Sequence, residues 1–427
     1  MSPGKSPFPH FALSKEDINE LHNLARGLVT SSLAEHDKYL KEKRENEGRQ
    51  RSLIDESTWK FTSEREKLRA YIGRTTNSKE TSWTATVATE QRQSVSDPVL
   101  QRESFMEPQL DHLAVMLVVG TVAGTMEDMM YGTMNNTAEA SLVKSSYVND
   151  TESGVVVLHT LEAPSIEDPF RSSMVKYIEI IQGSVIRQMV KKRDYVFLEL
   201  TGVAPLPSTG ELIGYHLMHS VHFPHTPTFD YAIRANMSVA VLSRLKPGST
   251  NEVELFVKGV SDPGGKMIRA IASSSLATAL CSTGRNVDCA NMKKLAWFVR
   301  NASKKTREAR DESNRTSLVG CVTCTKVPLR AKLGDLISNS RKCQVCFGYV
   351  CSSCRIKKKL SFIRAITGKL VQRDLPFCSA CIYTAVTTSS LAVARQEIID
   401  EVGADNLHLA DSDLFSTGES DIYSDRS

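Results

Sequence analysis

Near the N-terminus, apolar residues recur at helical spacing: Ile18, Leu21, Leu24, Ala25, Leu28 and Val29 share one face. Ser14 followed by Asp17 supplies an N-cap and an acidic first turn. The pattern predicts an amphipathic helix to about Tyr39, then a solvated charge run from Lys41 to Arg51. From Thr58 the period falls to two. Trp59-Lys60-Phe61 and Leu68–Ile72 alternate like short strands, residues 75–110 read as loop or irregular strand, and Leu113–Gly120 reads as a buried strand. Thr125 is placed to cap a short helix through Met126, Met129 and Met130. Further strands are predicted at Val155–Leu161, Met174–Ile181, Tyr195–Thr201, Leu212–Phe223, Met237–Leu245 and Val253–Val260, with Pro, Gly, Ser and Asn between them. After Pro263-Gly264-Gly265 the helical period returns through Met267, Ile268, Ile271, Leu276, Ala279 and Leu280. A second stripe follows at Met292, Leu295, Ala296, Phe298 and Val299. This order predicts an α+β chain built on a long antiparallel sheet flanked by helices.

Beyond that sheet the pattern is set by sulfur. Eight cysteines form four Cys-x-x-Cys pairs: Cys321/Cys324, Cys343/Cys346, Cys351/Cys354 and Cys378/Cys381. Two intervening residues let one tight turn aim both thiolates at a single ion, and two such turns complete a tetrahedral tetrathiolate site. Eight thiolates make two closed zinc sites with no position for water, so the two zinc ions are structural. Disulfides suit small secreted domains rather than a chain of this length. The gaps between pairs are 18, 4 and 23 residues. The short middle gap favours an interleaved arrangement, with Cys321, Cys324, Cys351 and Cys354 on one ion and Cys343, Cys346, Cys378 and Cys381 on the other. A short helix is predicted after the last pair, over Val386–Gln396.

An apolar fraction of 41% and a charged fraction of 24% are ordinary for soluble globular proteins, so composition alone selects no function. The net charge of +4 hides an asymmetry. Residues 301–385 carry 17 Lys and Arg against 5 Asp and Glu, and residues 386–427 carry 2 against 9. A basic zinc module therefore precedes an acidic tail, whose serine-rich part from about Asp400 to Ser427 is expected to be disordered. Met1–His10 lacks the apolar core of a secretory signal, and the run His112–Gly124 is too short to span a bilayer. The expected setting is cytoplasmic, with peripheral contact to membranes.

The spacing of the cysteine pairs resembles the FYVE-type zinc finger, a module that docks on phosphoinositide membranes of the endosome. RING fingers interleave their ligands too, but usually place a histidine in the middle group, and none lies between Cys321 and Cys381. Several family positions differ. Asn339, Ser340, Arg341 and Lys342 stand where FYVE fingers carry a basic run ending in two histidines. Gln344 and Pro376 stand where they carry arginines, and the glycine usual after the fourth cysteine is one residue later, at Gly348. Upstream, the element order and Lys192-Arg193-Asp194-Tyr195-Val196, which opens a strand, resemble the START-like lipid-binding domain. That resemblance implies a helix-grip sheet around an apolar cavity. The joint pattern resembles an oomycete-type pairing of the two domains. It divides the chain into an N-terminal helix (1–50), a START-like domain (51–300), a basic linker (301–315), a FYVE-type finger (316–385) and the acidic tail (386–427).

Arg341, Lys342, Arg355, Lys357, Lys358 and Lys359 surround the two central pairs and are the candidate contacts for acidic or phosphoinositide lipids. Aromatic residues are sparse among them, which disfavours nucleic acid. Met116, Met129, Met130, Met174, Leu217, Phe256, Met267 and Ile271 are the candidate lining of a lipid cavity. An enzyme is not expected: there is no nucleophile elbow, phosphate loop or His-Glu-x-x-His. His216, His219, His222 and His225 recur every three residues, which alternates faces in a strand, so they cannot converge on a metal. Asp194, after Arg193, reads as an internal ion pair or acceptor. The expected function is non-enzymatic zinc and lipid binding at a membrane. The alternatives are a RING-like ubiquitin ligase, hinted at by Val322, Pro328, Leu329 and Pro376, and a zinc-finger interaction scaffold.

Overall fold

In the computed structural model Ser14 and Asp17 cap the first helix reciprocally. The Asp17 N–H donates to Ser14 Oγ at 3.1 Å, and the Ser14 N–H donates to Asp17 Oδ2 at 2.8 Å. The structure describes residues 6–48, 54–74, 114–148, 152–180, 191–265, 269–308, 320–327, 341–364 and 367–404. Outside them fall the expected loop over 75–110, Met267 and Ile268, Asn339 and Ser340, Pro328 and Leu329, and the tail beyond Ala404.

The described chain forms two units, Met1–Asn291 and Met292–Ser427. The first holds α1 (Lys15–Gly48), α2 (Met126–Thr133), α3 (Ala138–Val148), α4 (Arg269–Ser282) and the start of α5 (Asn286–Glu308). Its strands are β1 (Trp59–Arg65), β2 (Leu68–Gly73), β3 (Ala114–Ala123), β4 (Glu152–Glu162), β5 (Ser172–Ile180), β6 (Lys192–Pro205), β7 (Leu212–Ser220), β8 (Ala232–Arg234), β9 (Asn236–Leu245) and β10 (Glu252–Asp262). They form one sheet in the order β1-β2-β3-β10-β9-β7-β6-β5-β4, antiparallel throughout except for short β8, which pairs parallel to β6.

Both faces of this sheet are covered, which is why its strands read as near-continuous apolar runs. On one face Leu21, Leu28, Leu33 and Leu40 of α1 pack over Leu117, Tyr177, Leu198, Leu217, Leu242 and Phe256. On the other, Met129 of α2, Ala277 and Leu280 of α4 and Val287 of α5 pack over Met116, Val118, Val241, Leu255 and Val257. The pleat sends neighbouring residues to opposite faces. The expected cavity lining is thereby divided: Met116 and Met129 belong to one core, Leu217 and Phe256 to the other. These residues cannot line one pocket.

Helix α1 also runs past Tyr39 to Gly48. Its polar continuation is exposed, as expected, at Lys41, Glu42, Arg44 and Glu45, but is anchored at one point, where Lys43 Nζ lies 2.7 Å from Glu254 Oε1 on β10. Glu35 meets the buried Lys258 at 2.7 Å in the same way. The short helix α2 has the expected cap, a full capping box in which the Asp128 N–H donates to Thr125 Oγ1 at 3.0 Å and the Thr125 N–H donates back to Asp128 Oδ2.

Charges lie inside the sheet unit as well. Lys176 on β5 is fully buried, donates to Asn135 O at 2.6 Å, and forms a short ion pair with Glu199 on β6. Glu199 also meets His216 Nε2 at 2.8 Å. Burial raises the Glu199 carboxyl, but Lys176 and His216 outweigh it and hold it well below the usual carboxylate range. Lys176→Met strands that charge in the core and is expected to cost about 3–5 kcal/mol. Urea unfolding of the full chain reads the loss, and Lys176→Met/Glu199→Leu should recover most of it. A loss under about 1 kcal/mol in the single variant would mean the pair is not held as buried charges.

Candidate metal centres

Each Cys-x-x-Cys pair that opens a site is folded by a tight turn. In the first, the Thr325 N–H donates to Cys321 O at 2.8 Å and the Cys321 N–H to Lys326 O at 3.1 Å. In the second, the Phe347 N–H donates to Cys343 O at 3.0 Å and the Cys343 N–H to Gly348 O at 2.9 Å. Both turns end left-handed, with φ of 60° at Thr325 and 56° at Phe347. Phe347 thus makes the turn that glycine makes at lower cost. Gly348 is needed for a different reason: a Cβ there would lie 2.3 Å from Val322 Cγ1 of the other turn.

The four turns bring their sulfurs together in crossed order. Cys321, Cys324, Cys351 and Cys354 form one group, and Cys343, Cys346, Cys378 and Cys381 the other, with all sulfurs of a group within 4.8 Å of one another. Sγ–Sγ distances are 3.8 Å for Cys324–Cys351 and 3.9 Å for Cys346–Cys378. A disulfide needs about 2.05 Å. A tetrahedron of thiolates about 2.3 Å from a central ion has edges near 3.8 Å. Each group therefore fits one metal ion. Backbone amides support the sulfurs: the Cys351 N–H donates to Cys321 Sγ and the Cys381 N–H to Cys378 Sγ, each at 3.4 Å.

The thiols also need a cation. A hydrogen bond from Cys346 draws Cys343 down to about 4, and the same contact pushes Cys346 far above its ordinary range. Burial and the neighbouring Cys378 push Cys381 up to about 12. Four sulfurs at this separation cannot all ionise unless positive charge sits among them.

The rest of the unit is built around these groups. Strands β11 (Ile356–Ile363) and β12 (Leu370–Phe377) form an antiparallel hairpin between the third and fourth pairs. Helices α6 (Ser379–Thr387) and α7 (Ser390–Ala404) follow, with Cys378 as the N-cap of α6. Val350, Leu360 and Phe377 make the core with Leu295, Ala296 and Val299 of α5, so the stripe predicted after Asn291 packs against the cysteine module. Lys294, wholly buried, donates to Val386 O at 2.8 Å and Thr388 O at 3.2 Å, putting a cation at the C-terminus of α6.

The six cations proposed for lipid do not form one face. Along β11, Lys357 and Lys359 are exposed on one side and Lys358 is half-buried on the other, while Arg341, Lys342 and Arg355 are half-buried. Lys369 is also exposed, in the turn between the two strands, at the other end of the hairpin from Lys357. The Gln344 N–H donates to Pro376 O at 3.0 Å, so the two neutral residues standing where FYVE fingers carry arginines are neighbours. Pro376 is buried, which removes it from any exposed partner groove. Neither metal group includes a histidine: His216 is bound to Glu199 and His219 Nδ1 lies 3.0 Å from Ser238 Oγ. Asp194 pairs with Arg234 at 2.9 Å, not with Arg193.

No protein-family model matches the chain, and no curated protein matches it. Among solved structures it is similar to human STARD10, with 11% identity and a TM-score of 0.34 over 55% of this chain and 74% of that one. It is also similar to human StAR-related lipid transfer protein 5, with 12% identity and a TM-score of 0.38 over 62% of this chain and 95% of that one. A STAR-related lipid transfer protein from Xanthomonas axonopodis has 10% identity and a TM-score of 0.33 over 54% of this chain and 96% of that one.

Proposed function

We propose that this chain is a non-enzymatic lipid-binding protein that docks on acidic membranes through a finger held by two zinc ions. The observation that carries the reading is the pair of crossed tetrathiolate groups, which fix a hairpin presenting Lys357, Lys359 and Lys369 to solvent. Zinc fits a closed set of four thiolates, and so does an iron–sulfur cluster; the separate tetrahedral groups favour zinc. Each exposed cation near an anionic leaflet contributes on the order of 1 kcal/mol. The neutral Gln344–Pro376 contact favours general attraction to acidic lipid over readout of a single phosphoinositide, with endosomal membranes as one acidic target. The sheet unit supplies the lipid-holding part: its element order, with β6 opening at Lys192–Val196, resembles the START-like domain.

A second reading, a protein-interaction scaffold, is favoured by exposed Val322, Val327 and Phe347 beside the first two turns. Vesicle co-sedimentation of the full chain separates the two. Pelleting should rise with phosphatidylserine content, fall with salt, and drop at least tenfold in Lys357→Glu/Lys359→Glu. Equal pelleting with neutral and anionic vesicles would sink the docking reading and leave the scaffold.

A further inference from the structure

On the sheet face covered by α1, a groove of about 270 Å³ opens between that helix and the ends of β2, β3 and β10. It contains none of the metal-group cysteines and none of the Lys176 cluster, and of the residues expected to line a lipid cavity only Phe256 borders it. Its walls are aromatic. Tyr39 and Phe256 lie 4.7 Å apart between ring centroids, and Tyr71 stands across from them on β2. Its depth exists partly because residue 120 is glycine. A Cβ there would lie 2.0 Å from Lys67 O, so any other residue would push β2 away from β3 at the groove mouth.

The charge on the lining is unequal: three cations, Lys43, Lys67 and Arg69, against one carboxylate, Glu254. That carboxylate is already satisfied by Lys43 at 2.7 Å and Arg244 at 2.8 Å. Lys67 is only the third partner of Glu252, at 3.2 Å, after Lys246 at 2.6 Å and Thr121 at 2.7 Å. Arg69 pairs with Glu64 at 3.0 Å, and both side chains are largely exposed. Such surface pairs are weak and exchange readily for an incoming anion. A bidentate guanidinium suits a carboxylate best.

His36 also lines the groove. His36 is 2% exposed, and its Nδ1 is buried without a hydrogen-bond partner. Its ring stacks toward Tyr39 and tilts against Phe256, 5.3 Å between centroids, which fixes it beside the aromatic wall of the groove. Buried polar groups in folded proteins are seldom left unpaired, and one that lines an open groove is placed to meet a ligand atom.

We propose that this groove binds a small planar aromatic anion, its carboxylate on Arg69 and Lys67, its ring against Tyr39, Tyr71 and Phe256, and a ring hydroxyl on His36 Nδ1. The volume fits one or two fused rings and lies just below the usual range for drug-sized ligands. The test uses the full chain and three fluorescent probes: 6-hydroxy-2-naphthoate, 2-naphthoate and 2-naphthol. Saturable binding of the first is expected, about fivefold weaker binding of the second, and at least tenfold weaker binding of the third. Arg69→Gln should weaken both acids about tenfold and leave 2-naphthol unchanged. His36→Phe should abolish the preference for the hydroxylated acid while retaining 2-naphthoate binding. If His36→Phe does not fold, exposed Arg69→Gln and Lys67→Gln carry the test alone. Absence of saturable binding, or affinities that ignore both cation variants, would overturn the proposal.

Discussion

Stripping the metal with a strong chelator is expected to unfold the cysteine module while the ten-stranded sheet stays folded. The module's core is small. Outside α5 its buried apolar residues are chiefly Tyr349, Val350, Leu360, Phe377 and Ala385, and three of its most buried members, Cys321, Cys343 and Cys378, are themselves ligands. So little apolar surface cannot offset the entropy of ordering the turns and hairpin. Structural zinc supplies roughly 10–16 kcal/mol to comparable small sites. Native mass spectrometry should count two zinc ions in the full chain, and hydrogen exchange should show the loss of protection confined to the second unit on chelation. The crossing of ligands has its own signature. Cys321→Ser/Cys351→Ser should lose one ion, because both sulfurs serve the first group, whereas Cys321→Ser/Cys343→Ser should lose both. Cys281→Ser, a buried thiol of the sheet unit, should lose none. If neighbouring pairs share an ion instead, the first double variant loses both zincs and the crossed arrangement fails.

How far the sequence revealed this arrangement depended on how local each signal was. A Cys-x-x-Cys turn is set by six consecutive residues, so the ligand groups were legible from spacing. The strands were legible because covered faces demand long apolar runs, and Thr125 announced α2 by its own chemistry. The misses are non-local. Helix α3 went unseen because it buries Ala138, Ser141 and Val148, small residues that draw no apolar stripe. Strand β8 has three residues and exists through its pairing with Lys192–Asp194 and the Arg234–Asp194 ion pair. The extension of α1 depends on Lys43 finding Glu254, which is far away in the chain. The expected cavity mixed residues of two cores because apolar identity alone does not say which face of a sheet a residue occupies. Nothing in the sequence set Lys176 apart from a solvated lysine; its burial follows only once Glu199 and Asn135 are beside it.

Acid is expected to destabilise the sheet unit well before its carboxylates titrate. Burial, with help from the Arg244 charge, lowers His36 to about 4, and burial also lowers His219 to about 4, with His222 adding to the effect. Burial lowers His216 too, against the pull of Glu199, its hydrogen-bond partner. In the unfolded chain each imidazole takes up its proton near 6.5. Between pH 6.5 and 4 the unfolded state therefore binds more protons than the folded state. Stability, fully present above 6.5, must fall as pH falls through that window. Each imidazole kept neutral in the fold costs roughly 1.4 kcal/mol per pH unit across it, so His36 and His219 together account for a loss of about 5 kcal/mol. Only below about 4.5 does a second loss begin, as the unfolded chain protonates Glu252 and Glu199 while the fold keeps both ionised, Glu252 held down to about 2 by hydrogen bonds from Lys246 and Thr121. Because thiolates release zinc in the same range, the readout has to be confined to the sheet. Hydrogen exchange of the β7 peptide Leu212–Ser220 and of β10, measured at pH 7.5, 6.0 and 5.0, serves that purpose. The expected result is a steep fall in protection free energy after correction for intrinsic exchange, and a shallower slope in His219→Asn, by about 1.4 kcal/mol per pH unit. A profile flat from pH 7.5 to 5.0 would mean that these imidazoles keep their protons when folded, and with it the buried, neutral interior described for them would fall.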